Sequence, residues 1–102
     1  MAPEITARKA ELIEICRTHH VRLLEIFGSA VGGAFDPERS DFDFLVEFDT
    51  VPEGSYASNF FDLKDALEGL LSRPVDLIVS SAIRNPWFRQ GIERNKALLY
   101  AA

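Results

Sequence analysis

The run Asp41-Phe42-Asp43-Phe44-Leu45-Val46-Glu47-Phe48 alternates without a break. Phe42, Phe44, Val46 and Phe48 fall on one face of an extended segment, and Asp41, Asp43, Leu45 and Glu47 on the other. A period of two suits a strand and excludes a helix. Its aromatic face must be buried, so the neighbouring apolar segments have to pair with this strand or cover it.

Those segments read in order along the chain. Ile5 to about His20 is helical, with Ile5, Leu12, Ile13 and Cys16 on one face and Pro3 just before the start. Val21 to Phe27 is a strand ended by Gly28-Ser29. Ala30 to Ala34 is a short turn or helix stub, and Phe35 to Ser40 a loop containing Asp36-Pro37. Asp49 to Ser58 is a second loop. Asn59 to Ser72 is a helix lined by Phe60, Leu63, Leu67, Leu70 and Leu71, with Ser58 or Asn59 as its cap and Pro74 as its stop. Val75 to Val79 is a short buried strand. Asn85-Pro86 opens a closing helix from Trp87 to about Asn95, and Ala97 to Tyr100 adds an edge strand. The order α-β-(short α)-β-α-β-α describes one α/β (α+β) domain over residues 1–102.

Charge and cysteine content narrow the function classes. Eleven basic and sixteen acidic side chains give a net charge of −5. A net-acidic chain is poorly suited to wrapping nucleic acid, so nucleic acid is not expected as a direct partner. The basic residues are unevenly placed: Arg84, Arg89, Arg94 and Lys96 all lie beyond residue 81, interleaved with Ile83, Trp87, Phe88 and Ile92. That segment reads either as an amphipathic closing helix with a solvated basic face or as a docking surface, with Tyr56, Phe60 and Phe61 as candidates for the same or another exposed patch. The single cysteine, Cys16, allows no intrachain disulfide, sits on the helix's apolar stripe and suits a reducing cytosol. His19-His20 fall at a helix end, where a polar or cationic residue complements the dipole. No apolar run approaches the roughly 20 residues of a membrane span, and the first residues do not read as a signal peptide. The expectation is a cytoplasmic protein.

The carboxylates carry the chemistry. Asp41 and Asp43, at i and i+2 on a strand, share a face about 7 Å apart, and their charges repel unless a cation lies between them. Asp76 lies inside the apolar run Val75-Asp76-Leu77-Ile78-Val79, where a carboxylate needs a partner. If that strand lies beside the Asp41 strand, the three form a cluster of hard oxygen donors suited to Mg²⁺. Gly28-Ser29 ends the preceding strand with a residue that tolerates close approach and a hydroxyl donor, features that suit a phosphate. A calcium loop over Asp36 to Glu47 fails because Asp41 stands where glycine is required, and Gly28 to Gly33 lacks the Gly-Lys of a phosphate-binding loop.

Phe27-Gly28-Ser29, eleven intervening residues, then Asp41-Phe42-Asp43-Phe44-Leu45-Val46-Glu47-Phe48 resembles the nucleotidyltransferase signature of the DNA polymerase beta superfamily. Arg73-Pro74-Val75-Asp76-Leu77-Ile78 is similar to its third-aspartate strand. The nearest likeness is to the minimal nucleotidyltransferases (MNT), from about Leu12 to Tyr100. The resemblance implies a polymerase-beta-like fold, a small mixed sheet with helices packed on one side. It implies that Gly28 and Ser29 bind the triphosphate of ATP. Asp41 and Asp43 would ligate two Mg²⁺ ions, and Asp76 would ligate the catalytic one and help deprotonate an attacking hydroxyl. It implies AMP transfer with loss of pyrophosphate, onto a tyrosine of a partner HEPN-domain toxin, with the chain acting as antitoxin. Two alternatives stand beside it: a toxin-neutralising binding module with little or no catalysis, and transfer to a small molecule such as an aminoglycoside. A homo-oligomer is compatible with all three. The sequence departs from many members in one extra residue between Ser29 and Asp41, and in Ala30-Val31-Gly32-Gly33 where an arginine is usual. Arg39 is the nearest cation in sequence.

Overall fold

The computed structural model describes residues 1–32 and 41–102; the loop expected at Phe35 to Ser40, with Arg39, lies outside the described residues. The elements are α1 (Pro3–Ala7), α2 (Lys9–Thr18), β1 (Val21–Phe27), α3 (Ser29–Gly32), β2 (Phe42–Phe48), α4 (Tyr56–Leu71), β3 (Val75–Val79), α5 (Pro86–Glu93) and β4 (Lys96–Ala101). A short 3₁₀ turn, Ser80–Ala82, follows β3. The four strands form one mixed sheet in the order β3-β2-β1-β4. β1 is antiparallel to both β2 and β4, whereas β2 and β3 are parallel. Parallel neighbours need a crossover, and α4 supplies it. No helix among the described residues is long and apolar enough to cross a membrane.

The alternation in β2 sorts the two faces as its sequence requires. Phe42, Phe44 and Val46 are fully buried with Leu24 and Ile26 of β1 and Leu77 of β3. Leu12 and Cys16 of α2 and Leu63 and Leu67 of α4 close the same core from above. The opposite face carries a smaller cluster: Phe27, Leu45 and Ile92, with Ile78 and Ile83 against them. Ile92 belongs to α5, so this short helix lies on the carboxylate face of β2.

Several local expectations are refined. The first helix is two, broken at Arg8 (φ −111°, ψ 19°). Ile15, not Ile13, packs against the main core with Leu12 and Cys16. Helix α4 begins at Tyr56, with Ser55 at its N-cap and no side-chain cap bond. Neither candidate cap serves as one: Ser58 Oγ donates to the Ser55 carbonyl, and Asn59 Nδ2 donates to the His19 carbonyl at 2.8 Å. The end of α4 is set by Ser72, left-handed at φ 55°, whose N–H donates to the Glu68 carbonyl. His19 and His20 are structural: the His19 ring bonds the Ile15 carbonyl at 2.7 Å, and the His20 carbonyl accepts from Asp49 N–H. Burial pushes the Cys16 thiol up to about 12, far from a reactive thiolate.

Phe44→Ala should cost about 3–5 kcal/mol of unfolding free energy, because the ring is fully buried. Phe61→Ala, on a 58 % exposed ring of α4, should stay within about 0.5 kcal/mol. Urea denaturation of the two variants measures both, and equal losses would contradict the assigned core.

Candidate active site

Three strand ends meet where β1 finishes and β2 and β3 begin. The parallel β2–β3 register sets Asp43 directly beside Asp76, and the antiparallel β1–β2 register sets Phe27 opposite Asp43. Paired positions share a face, so both carboxylates leave the sheet on the same side, one strand spacing apart (about 4.8 Å). Asp41 stands one residue before β2 and is exposed; Asp76 is exposed and Asp43 half-buried. Asp43 bears the consequence. Its carboxyl is held above the ordinary value, first by desolvation and then by the charges of Asp76 and Asp41.

Gly28 closes the site on the β1 side for two separate reasons. Its φ of +79° is a conformation that side-chain-bearing residues rarely adopt, and a Cβ there would lie 2.6 Å from Asp43 Oδ2. The glycine therefore lets the Asp43 carboxylate rest against the β1–α3 turn. Asn95 grips the same turn from the far end of the chain. Gly28 N–H donates to the Asn95 carbonyl at 3.3 Å, and Asn95 Nδ2 donates to the Gly28 carbonyl at 3.4 Å. Sequence reasoning did not single out Asn95 for this role, because its partner is 67 residues away. The Gly28 amide is thus already engaged. Ser29 follows at the first residue of α3, half-buried. Ala30, where an arginine is usual near this point, is buried in the core at 2 % exposure and holds the chain start through Ala2 N–H to its carbonyl at 2.8 Å.

Asp43 is close enough to feel the charges of both Asp76 and Asp41. Among the described residues, however, no three His, Cys, Asp or Glu side chains are already arranged as a metal cage. The donor set still fits a hard divalent cation: carboxylate oxygens only, one of them paying a repulsion that a cation would reverse.

The segment after β3 divides its basic residues. Lys96 is not solvated surface: Nζ bonds Glu25 Oε2 at 2.9 Å and Glu93 Oε1 at 3.2 Å, which satisfies the buried Glu25 carboxylate. Arg89 donates to the Ser80 carbonyl at 2.8 Å. Asn85 caps α5, its Oδ1 accepting from Trp87 N–H and Phe88 N–H. Trp87 and Phe88 line a groove of about 350 Å³ together with Phe27, Gly28 and Ile92. A second hollow, of about 380 Å³ between α1 and the end of α4, touches none of the aspartates.

Comparison with known proteins agrees with this arrangement. The nucleotidyltransferase domain family matches residues 9–100. The protein adenylyltransferase MntA of Thermococcus cleftensis is 38% identical over 81 residues, covering 79% of this chain and 75% of its own. A solved structure provisionally described as a minimal nucleotidyltransferase superposes with a TM-score of 0.73 at 33% identity, covering 95% of each chain. The MNT antitoxin solved in complex with a tri-AMPylated Shewanella oneidensis HEPN toxin shares the fold. Its TM-score is 0.64 at 19% identity, over 95% of this chain and 72% of that one. With its three aspartates brought to one end of a mixed sheet beside Gly28, this chain belongs to the nucleotidyltransferase domain family.

Proposed function

We propose that the protein moves AMP from ATP onto a hydroxyl, that of a tyrosine on a HEPN-domain toxin, and so acts as an antitoxin. The observation that carries this reading is the β2–β3 register, which sets Asp43 beside Asp76 with Gly28 against the Asp43 carboxylate. Similarity to a protein adenylyltransferase supports the donor and the class of acceptor, and the fold shared with an MNT antitoxin supports the partner.

In this reading Asp41, Asp43 and Asp76 would hold two Mg²⁺ ions. Bound there, the ions supply charge neutralisation for the triphosphate and for the leaving group. Gly28 and Ser29 border the triphosphate: the glycine lets the Asp43 carboxylate lie against the turn, and the serine hydroxyl donates to a phosphate oxygen. Asp76, exposed at the start of β3, takes the proton of the attacking hydroxyl. The acceptor oxygen bonds to the α-phosphorus. The bond from that phosphorus to the bridging oxygen breaks, and pyrophosphate leaves with the electron pair.

A toxin-neutralising binder without catalysis is the second reading. The observation in its favour is Ala30, a small buried residue near a point where a cation usually faces the phosphates. Incubation with ATP labelled at the α-phosphate, Mg²⁺ and the partner toxin separates the two. Label should pass to the toxin and fall by about a hundredfold or more with Asp41→Ala or Asp43→Ala. Neutralisation by those variants with no label from the parent protein would establish the binder instead. Gly28→Ala should lower transfer as well, since its Cβ would press on Asp43 Oδ2.

The raised Asp43 carboxyl gives a pH test. Between the ordinary value of 3.8 and the raised one, the folded chain binds more protons than the unfolded chain. Without divalent ions this group therefore weakens the fold as pH climbs through that window, and the penalty is complete above it. Asp43→Asn should melt above the parent at neutral pH, with the gap closing as pH falls below that window. Mg²⁺ should stabilise the parent, by about 2.7 kcal/mol at a hundredfold excess over its dissociation constant, and the variant far less. Thermal melts across pH, with and without Mg²⁺, measure both effects.

A further inference from the structure

We propose that the groove between α5 and the β1–α3 turn holds the base of the nucleotide, with Trp87 as its stacking surface. This rests on the nucleotidyltransferase reading and extends it to the half of the substrate that the aspartates do not touch. Trp87 is 78% exposed and Phe88 45%. The Asn85 cap holds both backbone amides in place, so the indole springs from a fixed backbone position and stands uncovered beside the groove.

Among the described residues, the groove's lining is apolar or neutral and contains no charged side chain. It suits a flat uncharged heteroaromatic ring and offers nothing to a phosphate. Its volume of about 350 Å³ lies at the small end of the range for small-molecule sites. That is enough for a nucleoside and short for a peptide segment.

Continuity with the candidate active site selects the nucleotide base over an acceptor side chain. Gly28 belongs to both: one side of it meets the Asp43 carboxylate, and it also forms the groove's edge. A nucleotide whose phosphates lie at Gly28 and Ser29 carries its nucleoside one step beyond them.

Gly91 adds an independent observation. It lies within α5, where glycine is worse than alanine for helix stability. A Cβ there would meet nothing within 4 Å among the described residues, so their packing does not demand a glycine. The position borders the groove, and the missing side chain keeps the groove open. Asn95 also lines the groove, with its Nδ2 donating to the Gly28 carbonyl.

Trp87 is the protein's single tryptophan, so its fluorescence reports on the groove directly. MgATP should quench it, and inorganic triphosphate with Mg²⁺ should not. By calorimetry, Trp87→Ala should weaken MgATP binding by about tenfold to a hundredfold and leave inorganic triphosphate binding unchanged. Trp87→Phe should restore most of the loss, and Gly91→Leu should weaken MgATP without lowering the melting temperature. Equal MgATP affinity in Trp87→Ala and the parent would overturn the base site while leaving the nucleotidyltransferase reading intact. Loss of transfer to the acceptor at unchanged MgATP affinity would overturn it in favour of an acceptor-binding groove. A parent protein that binds no MgATP would overturn both readings together.

Discussion

The parallel pairing of β2 with β3 is the constraint on which the rest of the molecule depends. It sets Asp43 beside Asp76, two carboxylates about one strand spacing apart on one face. Left alone, that contact is unfavourable: Asp43's carboxyl is raised, first by its own burial and then by the charges of Asp76 and Asp41. The fold bears it because the opposite face of the same strands is packed without exposure: Phe42, Phe44 and Val46 against helices α2 and α4. Core and site are therefore two faces of one strand. The alternation that buries the phenylalanines is also what aims the aspartates.

The smaller cluster on the carboxylate face completes this division. Phe27, Leu45 and Ile92 anchor α5 next to the aspartates. Lys96 ties Glu25 and Glu93 together near the chain's end, and Asn95 clamps Gly28 from the same segment. The basic, aromatic end of the chain thus helps to build the active-site end of the sheet. Its lysine neutralises a buried glutamate, and its tryptophan stands over the neighbouring groove. Tyr56 and Phe61 are exposed on α4, which packs the other face of the sheet, so they do not extend this surface.

Much of this was legible in the sequence because it rests on local periodicity. The β2 alternation separated core from carboxylates, and Val75-Asp76-Leu77-Ile78-Val79 exposed its anomaly as one acid in an apolar run. The strand limits Val21–Phe27 and Val75–Val79 stood in the text as they stand in the fold. What escaped has no local signature. Arg8 breaks the first helix with neither glycine nor proline to announce it. Tyr56-Ala57-Ser58 starts α4 before its apolar stripe begins, so the pattern placed the helix start too late. Asn95 reaches Gly28 across 67 residues, with one bond from its side-chain amide and one to its backbone carbonyl, a pairing that no local pattern announces. Gly28 itself was legible as a glycine before a serine. That it makes room for one particular oxygen of Asp43 needed the register.

The central claim is that Asp41, Asp43 and Asp76 act together as a divalent-cation site when nucleotide is bound. Electron paramagnetic resonance of Mn²⁺, titrated into the protein with a non-hydrolysable ATP analogue, tests it most directly. The account predicts two Mn²⁺ per chain, close enough to couple magnetically, and loss of that coupled signal in folded Asp43→Asn protein. Manganese binding that is absent from the parent, or identical in the parent and the variant, would contradict it.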